Sequence, residues 1–398
     1  MIRRLIYISK SHFIVAMLLA GSIAFVSCRT EHQPKKSPLL EATRMQLADK
    51  KATDETAALF YNLKKNANEH VLFGHQDATR NGFGWTNEYN SAAFDPERSD
   101  VKDVTGAYPA VYGWDFIHIA NFYTGNWFHY ERNLLRRLTT DAYNRGGINT
   151  YSWHYHNPIT KEGVRWNEAP VEAVKHILPG GTHHGVLKKS LNEIADYIQS
   201  LTGKDGKAVP IIFRPFHEMD GDWFWWGKGH CTVQEYKQLY RFTVTYLRDS
   251  LSVHNLLYAW SPDRNFNTEE EYLAYYPGDD FVDIVGMDNY GDLSPGNSPS
   301  LAARKLEIVS GVAVKKNKVA AFTETGLPNI PQEKWFTEML LPVLQHRQGI
   351  AYVMLWSNSR EMYWTPYKGH PAENDFILFR NNPYIFFDDT LPDMYQIE

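Results

Sequence analysis

Two kinds of segment alternate along this chain, distinguished by the spacing of their apolar residues. Short runs rich in β-branched and aromatic residues predict strands, and longer amphipathic stretches between them predict helices. The predicted strands are VLFG (71–74), AVYGW (110–114), INTYSW (148–153), PIIFRPF (210–216), LLYAW (256–260), VDIVGM (282–287), VAAFTE (319–324) and AYVMLW (351–356). The clearest predicted helices span 129–147, 185–201, 232–250 and 300–317.

Strands that alternate with helices predict βαβ units and a parallel sheet. The strand runs are almost continuously apolar, which is typical of strands buried on both faces. Eight such units favour a closed (β/α)8 TIM barrel over an open doubly wound sheet. No Gly-x-Gly-x-x-Gly motif follows the first strand, which disfavours a dinucleotide-binding fold. We therefore predict an α/β fold with one domain over residues 46–398.

The N-terminal segment has the pattern of an export signal. The basic stretch MIRRLIYISK precedes the apolar run FIVAMLLAGSIAFV, which is too short for a stable membrane span. The run ends in FVSC, which resembles a bacterial lipobox with Cys28 as the lipidated residue. We predict a lipoprotein-type signal peptide over 1–27 and a tether over 28–45. The protein is then exported to the periplasm or outer membrane of a bacterium, and contacts membrane only through this anchor.

Composition narrows the class of partner. The net charge is −5, which gives no electrostatic reason to expect nucleic acid. Aromatic residues make up 14% of the chain, so some rings are expected to line a cleft as well as fill the core. Cys231 is the only cysteine beyond Cys28, so an intramolecular disulfide in the mature domain is not expected.

Polar and aromatic residues stand where nearly every predicted strand ends. In a TIM barrel the active site lies at the carboxyl ends of the strands, so these side chains are expected to converge. They are His75, Asp77, Trp114, Asp115, His154, His217, Glu218, Trp260, Asp288, Tyr290, Glu324 and Trp356.

Three chemistries compete for such a site. A metal hydrolase is disfavoured because His217-Glu218 begins an H-E-x-x-H motif that fails at Gly221. His154 and His156 alternate and need not converge, so we predict neither metal nor cofactor. A serine or cysteine hydrolase is disfavoured because no Gly-x-Ser-x-Gly motif occurs and Cys231 lies beyond the strand end.

Glycoside hydrolysis fits the remaining residues. It requires two carboxyl groups that flank the scissile bond, about 5–5.5 Å apart in retaining enzymes. Glu218 follows the fourth predicted strand and Glu324 ends the seventh, and the ends of these two strands can face each other across a barrel. Like charge at short range is expected to raise the pKa of Glu218.

The stretch FRPFHEMDGDWFWWG (213–227) closely resembles the acid/base segment of glycoside hydrolase family 26. Most members of that family are β-1,4-mannanases with a TIM barrel and catalytic glutamates on strands four and seven. The resemblance spans roughly residues 50–360. It continues in SWHYHNP (152–158), ILPGGTHH (177–184), YAWSPD (258–263), YPGDDFVDIVGMDNY (276–290) and FTETG (322–326).

The resemblance implies a role for each matched residue. Glu218 matches the acid/base, Glu324 the nucleophile, and Arg214 a residue near the nucleophile. Ser357 stands where some members carry an Arg that grips a more distant mannose, which puts that subsite in question. The remaining implied substrate-binding residues are His154, Trp166, His217, Trp223, Asp288, Tyr290 and Trp356.

The resemblance thus implies a retaining mannan endo-1,4-β-mannosidase that acts on mannan, galactomannan or glucomannan. Two alternatives stay open at this point. One is a β-glucanase or β-1,3-xylanase on the same fold, and the other is a glycan-binding lipoprotein without catalysis.

Overall fold

Eight parallel strands form the centre of the structure, a computed structural model that describes residues 37–89, 91–345 and 349–397. We number these strands β1 to β8. They are Val71–Gln76, Val111–Asp115, Ile148–Trp153, Ile211–Pro215, Leu256–Trp260, Ile284–Asp288, Val319–Thr325 and Ile350–Leu355. All eight predicted strands are confirmed, with ends that differ by at most two residues.

The sheet closes on itself. Each strand pairs in parallel with the next along the chain, and β8 pairs with β1 through Phe73 and Val353. This closure confirms the predicted (β/α)8 barrel. Two short additions decorate it. Ile385–Phe386 pairs with the start of β1, and Asn81–Gly82 forms a hairpin with Trp85–Thr86.

Helices surround the barrel and are numbered α1 to α11. They are Pro38–Arg44, Asp54–Asn66, Asp100–Thr105, Asn126–Asn144, Val174–Ile177, His184–Gln199, Val233–Thr245, Glu269–Tyr272, Pro299–Lys316, Leu341–Leu344 and Glu373–Arg380. The helix predicted over 232–250 begins at a capping box formed by Thr232 and Glu235. Its last part, Tyr246–Ser250, has π-helical geometry.

Strand alternation divides the apolar residues between two cores. Leu72, Ile212 and Ile284 fill the barrel interior, which is closed at its base by residues of α2 such as Phe60. The alternate positions point outward and pack under the helices, and Trp114 belongs to this outer core. Each strand can therefore present alternate residues at its carboxyl end to the barrel mouth.

The compact unit begins at Ser37, so the last part of the tether expected over 28–45 overlaps it. Residues 38–44 form α1, where Arg44 donates a 2.7 Å hydrogen bond to the carbonyl oxygen of Ala52. The expected signal peptide and Cys28 lie outside the described residues. Within the described ranges, no helix combines the length and apolar character needed to cross a membrane.

Candidate active site

A cleft of about 470 Å³ lies at the carboxyl ends of the barrel strands. Its volume falls in the range of small-molecule binding sites. The lining combines carboxyl groups, imidazoles and aromatic rings, as expected from the predicted strand ends. The lining residues are His154, Arg165, His217, Glu218, Trp223, Phe224, Asp263, Tyr290, Glu324, Pro328, Trp356, Met362 and Trp364.

The chain makes a tight turn after β4 that brings Glu218 into the cleft. Phe216 and Glu218 both adopt left-handed backbone conformations, with φ of 51° and 54°. Such conformations are costly for residues with a Cβ and persist only where the surroundings fix them. Here the hydroxyl of Tyr236 donates to the carbonyl oxygen of Phe216 at 2.9 Å, and Glu218 N donates to the carbonyl oxygen of Ser261 at 2.9 Å.

The side chain of Glu218 is 9% exposed and accepts a hydrogen bond from the indole N–H of Trp223. Burial raises the pKa of Glu218 well above its usual range, and the nearby acidic groups Asp288 and Glu324 raise it further. Burial is the largest cause, whereas the sequence pointed to like charge. Both effects favour a protonated Glu218 at neutral pH.

Gly221 explains how Trp223 reaches Glu218. A Cβ on Gly221 would overlap the indole ring of Trp223. The residue that breaks the H-E-x-x-H motif is thus required for the indole to fold back over the turn.

Glu324 stands next to the carboxyl end of β7 and has both oxygens occupied. Its Oε1 accepts a hydrogen bond from Nη2 of Arg214, and its Oε2 accepts one from the hydroxyl of Tyr290 at 2.9 Å. Burial, and then the adjacent carboxylate, raises the pKa of Tyr290 well above its usual value, so the phenol keeps its proton. The two donors fix the direction in which the carboxylate faces the cleft.

Arg214 joins Glu324 to a second carboxyl group beneath the cleft floor. Its Nη1 donates to Oδ2 of Asp288 at 2.7 Å and to Oγ of Ser261 at 3.1 Å. Arg214 lies two residues after Ile212 on the inward face of β4, which explains why a guanidinium is buried here. Burial lowers the pKa of Arg214, but Asp288 and Glu324 outweigh it and hold it well above its usual value.

Asp288 is fully buried and does not line the cleft. The hydroxyl of Thr323 donates to its Oδ1 at 2.6 Å, while Arg214 and Ser261 occupy Oδ2. Arg214 lies next to Glu324, where the resemblance placed it, although its side chain does not line the cleft. Asp288 was expected at the substrate, and the structure instead places it below the floor, where it holds Arg214.

In the described part of the chain, His217, Asp288 and Glu324 each offer one potential ligand atom, and these three atoms lie within 4.8 Å of one another, close enough to share an ion. The guanidinium of Arg214 already bridges the two carboxyl groups of this set. Burial and the neighbouring Arg214 lower the pKa of His217 well below its usual value, so its imidazole is neutral. A divalent cation would have to compete with Arg214 for both carboxylates.

His154 follows β3 and is held by a carboxylate that sequence reasoning had not paired with it. Its Nδ1 hydrogen-bonds to Oδ2 of Asp115, whose carboxylate also accepts from the backbone N–H groups of His154 and Ile117 and from Oγ of Ser152. Burial lowers the pKa of His154, but the charge of Asp115 outweighs it and the net shift is upward. The other ring nitrogen remains available to the cleft.

The tryptophans of the 213–227 segment divide between site and core. Trp223 lines the cleft, whereas Trp225 and Trp226 are fully buried beneath it. Trp356 follows β8 and lines the cleft with its ring centroid 5.6 Å from that of His154. Trp166, expected to contact substrate, stacks on His230 at 3.8 Å and does not line the cleft.

Several lining residues were not singled out from the sequence. Asp263 is 9% exposed, and burial together with nearby Asp220 raises its pKa to about 7. It lies in the YAWSPD segment, whose match to the family pattern was the available signal. Trp364 and Met362 come from the loop after β8, where no periodic pattern marks a side chain as part of the site.

Known proteins are similar in sequence to this chain over most of its length. The chain is 36% identical over 362 residues to a mannan endo-1,4-beta-mannosidase of Bifidobacterium adolescentis, covering 85% of this chain and 35% of that relative. It thus spans about a third of the length of that protein. A mannan endo-1,4-beta-mannosidase of Bacillus subtilis is 33% identical over 284 residues, covering 68% of this chain and 72% of the relative.

Solved structures share the fold. GH26C from Muricauda sp. superimposes with a TM-score of 0.84 at 41% identity, covering 90% of this chain and 98% of that one. A GH26 beta-mannanase from Bacteroides ovatus gives a TM-score of 0.78 at 37% identity, covering 87% and 98%. The model of glycosyl hydrolase family 26 matches residues 48–369. This chain therefore belongs to glycosyl hydrolase family 26.

Proposed function

We propose that this chain is a mannan endo-1,4-β-mannosidase that cleaves β-1,4 bonds of mannan, galactomannan or glucomannan with retention of configuration. The observation that carries the proposal is the pair Glu218 and Glu324 in one cleft with opposite surroundings. One is a buried acid next to an indole, and the other is a carboxylate held by a guanidinium and a phenol. The names of the relatives from Bifidobacterium adolescentis and Bacillus subtilis support mannan as the substrate.

Glu324 acts as the nucleophile. Arg214 and Tyr290 each donate a hydrogen bond to one of its oxygens, which fixes the side-chain rotamer. The carboxylate is therefore already oriented for attack on the anomeric carbon. Attack forms a covalent glycosyl-enzyme while the bond to the departing oxygen breaks.

Glu218 acts as the acid and then as the base. Its raised pKa keeps a proton available at neutral pH for the departing oxygen. Once ionised, it removes a proton from the water that attacks the glycosyl-enzyme, which restores both glutamates. The reaction uses carboxyl groups and water alone.

The lining rings orient the sugar. Trp356 and Trp223 offer apolar surfaces to the C–H faces of pyranose rings, and His154 offers an N–H to a hydroxyl. Nε2 of the neutral His217 ring lies 4.0 Å from Oε1 of Glu324, and the ring forms part of the cleft wall. Arg214 and Asp288 act through Glu324 and are positioning residues.

A polysaccharide panel tests the proposal. We expect hydrolysis of β-mannan, with the β anomer of the new reducing end appearing first in the NMR spectrum. Cleavage of β-1,4-glucan or β-1,3-xylan in place of mannan would overturn the substrate assignment. Initial release of the α anomer would overturn the retaining mechanism.

We also propose that the protein is an exported bacterial lipoprotein anchored at Cys28. The support comes from the basic start, the apolar run and the FVSC segment of the sequence. An anchored enzyme would meet its polysaccharide or oligosaccharide substrate in the periplasm or at the outer membrane.

A further inference from the structure

The cleft that holds the two glutamates adjoins a second compartment of about 410 Å³. The two compartments share four lining residues, so they lie side by side. These are His154, Trp356, Met362 and Trp364. On the far side, Ile117 and His118 line the second compartment, in the turn that follows β2. A polymer that extends from the first compartment into the second would therefore approach this turn.

Trp127 stands beside this turn, in the first turn of α4. Its ring centroid lies 5.6 Å from that of His118, at 80° between the planes, and 5.3 Å from that of Tyr123, at 79°. Edge-to-face contacts of this kind hold an aromatic ring in one orientation. The side chain is nevertheless 48% exposed. The indole is thus fixed by its neighbours but not covered by them.

The position of α4 places the exposed ring of Trp127 on the same side of the barrel as the cleft. The helix begins at the carboxyl ends of the strands, because it follows β2, so Trp127 lies on the same face of the barrel as the glutamates. Leu135, two turns further along α4, lines the second compartment. By contrast, the exposed Val314 is in the last turn of α9, just before β7, and so lies toward the opposite face.

Polar groups accompany the ring. The hydroxyl of Tyr123 and Nε2 of His156 are 3.3 Å apart, and the two rings meet edge to face at 5.2 Å. An indole bordered by a phenol and an imidazole suits a pyranose, which presents C–H groups on its face and hydroxyls around its edge.

We propose that Trp127 is a distal sugar-binding platform that stacks against a further unit of the polysaccharide chain leaving the second compartment. The inference rests on the proposed function and extends it, since it makes hydrolysis depend on chain length. Short oligosaccharides fill only the cleft and do not reach Trp127, whereas longer ones gain the apolar contact.

Hydrolysis of mannotriose to mannohexaose by Trp127→Ala, Trp127→Phe and Val314→Ala tests the platform. We expect Trp127→Ala to lose about five- to tenfold in kcat/KM on mannohexaose, the scale of one buried sugar face, and to match wild type on mannotriose. Trp127→Phe keeps a ring and should retain most of the activity. Val314→Ala controls for loss of an exposed apolar side chain and should match wild type at every length.

Two results would overturn the platform. One is a Trp127→Ala variant whose kcat/KM relative to wild type is the same at every chain length. The other is a length-dependent loss in Phe83→Ala but not in Trp127→Ala. Phe83 is 37% exposed, stacks on Tyr367 at 3.9 Å, and follows Asn81, which lines the second compartment, so it marks the alternative exit. If wild type itself cleaves no mannan substrate, the proposed function fails instead.

Discussion

The indole N–H of Trp223 donates a 2.6 Å hydrogen bond to Oε2 of Glu218. This bond favours the ionised carboxylate and so opposes burial, which raises the pKa of Glu218. A general acid is active below its pKa and loses activity as pH rises through it. The bond therefore sets how far the active range extends toward alkaline pH.

Replacing Trp223 by Phe removes the donor but keeps an aromatic ring. We expect the pKa of Glu218 to rise further, so the alkaline limb of the kcat/KM profile moves to higher pH. Trp356→Phe is the matched control, because that indole also lines the cleft but makes no bond to Glu218. An alkaline limb that stays in place, or moves equally in both variants, would contradict this account.

Glu324→Ala and Glu218→Ala should fail in different ways. Without Glu324 the glycosyl-enzyme cannot form, so activity should fall by orders of magnitude on mannan and on activated aryl glycosides alike. Without Glu218 the loss on mannan should be about 10²–10⁴-fold, the usual size of general acid catalysis. An aryl group of low pKa leaves without that proton, so a burst of released phenol should precede slow turnover. Identical losses of the two variants on the aryl substrate would mean that the roles are misassigned.

Asp115→Asn tests the support of His154. The substitution removes the charge that holds the pKa of His154 above its usual value, so burial should then dominate and lower it. The imidazole should then carry less positive charge at neutral pH, and kcat/KM should fall by about 10–100-fold, the scale of a hydrogen bond from a charged donor. The ring signals of His154 in an NMR pH titration report the shift directly.

Ser152→Ala is the control for Asp115→Asn. It removes one neutral donor to the same carboxylate, at 3.0 Å, and leaves the charge in place. We expect little change in the pKa of His154 in this variant. A His154 that titrates at the same pH in Asp115→Asn and wild type would refute the role of Asp115.

Trp356→Ala should reduce substrate binding without unfolding the protein. Its ring lines both compartments of the cleft and is partly exposed, so we expect KM to rise or kcat/KM to fall by at least about tenfold. The melting temperature should change little. Trp225→Ala provides the contrast, because that ring is fully buried and its loss should cost about 3–5 kcal/mol of stability. A large drop in melting temperature for Trp356→Ala would identify it as a core residue.

Cys28→Ala tests the lipid anchor. The variant should keep full activity on soluble mannan and move from the membrane fraction to the soluble fraction. Retention of the variant in membranes would exclude lipidation at Cys28 as the means of attachment.

The barrel was predictable because its strands are buried on both faces, so each reads as an apolar run. The carboxyl ends of these runs also identified Glu218 and Glu324. The direction of neighbouring side chains was harder to assign. Trp114 and Asp115 both end β2, yet strand alternation sends Trp114 into the outer core and Asp115 toward His154.

Loops gave less information than strands. Nothing in the local pattern around Trp223, Trp225 and Trp226 shows which indole meets the cleft, since the turn that directs them depends on left-handed residues and on Gly221. Trp166 was expected at the substrate because of a family match, but its contact with His230 is set by tertiary packing. Such contacts depend on segments distant in the sequence.

Arg214 forms ion pairs with both Asp288 and Glu324, which has a consequence for the whole catalytic cycle. In the proposed mechanism Glu324 becomes a neutral ester when the glycosyl-enzyme forms. Its negative charge is then lost from the site. Arg214 still has Asp288 at 2.7 Å. Burial raises the pKa of Asp288, Arg214 lowers it, and the charge of Glu324 raises it, so loss of that charge favours the ionised Asp288 carboxylate as the counter-ion of the guanidinium. The site can cycle between free and covalently loaded states without exposing an uncompensated charge, and without having to admit solvent to neutralise it.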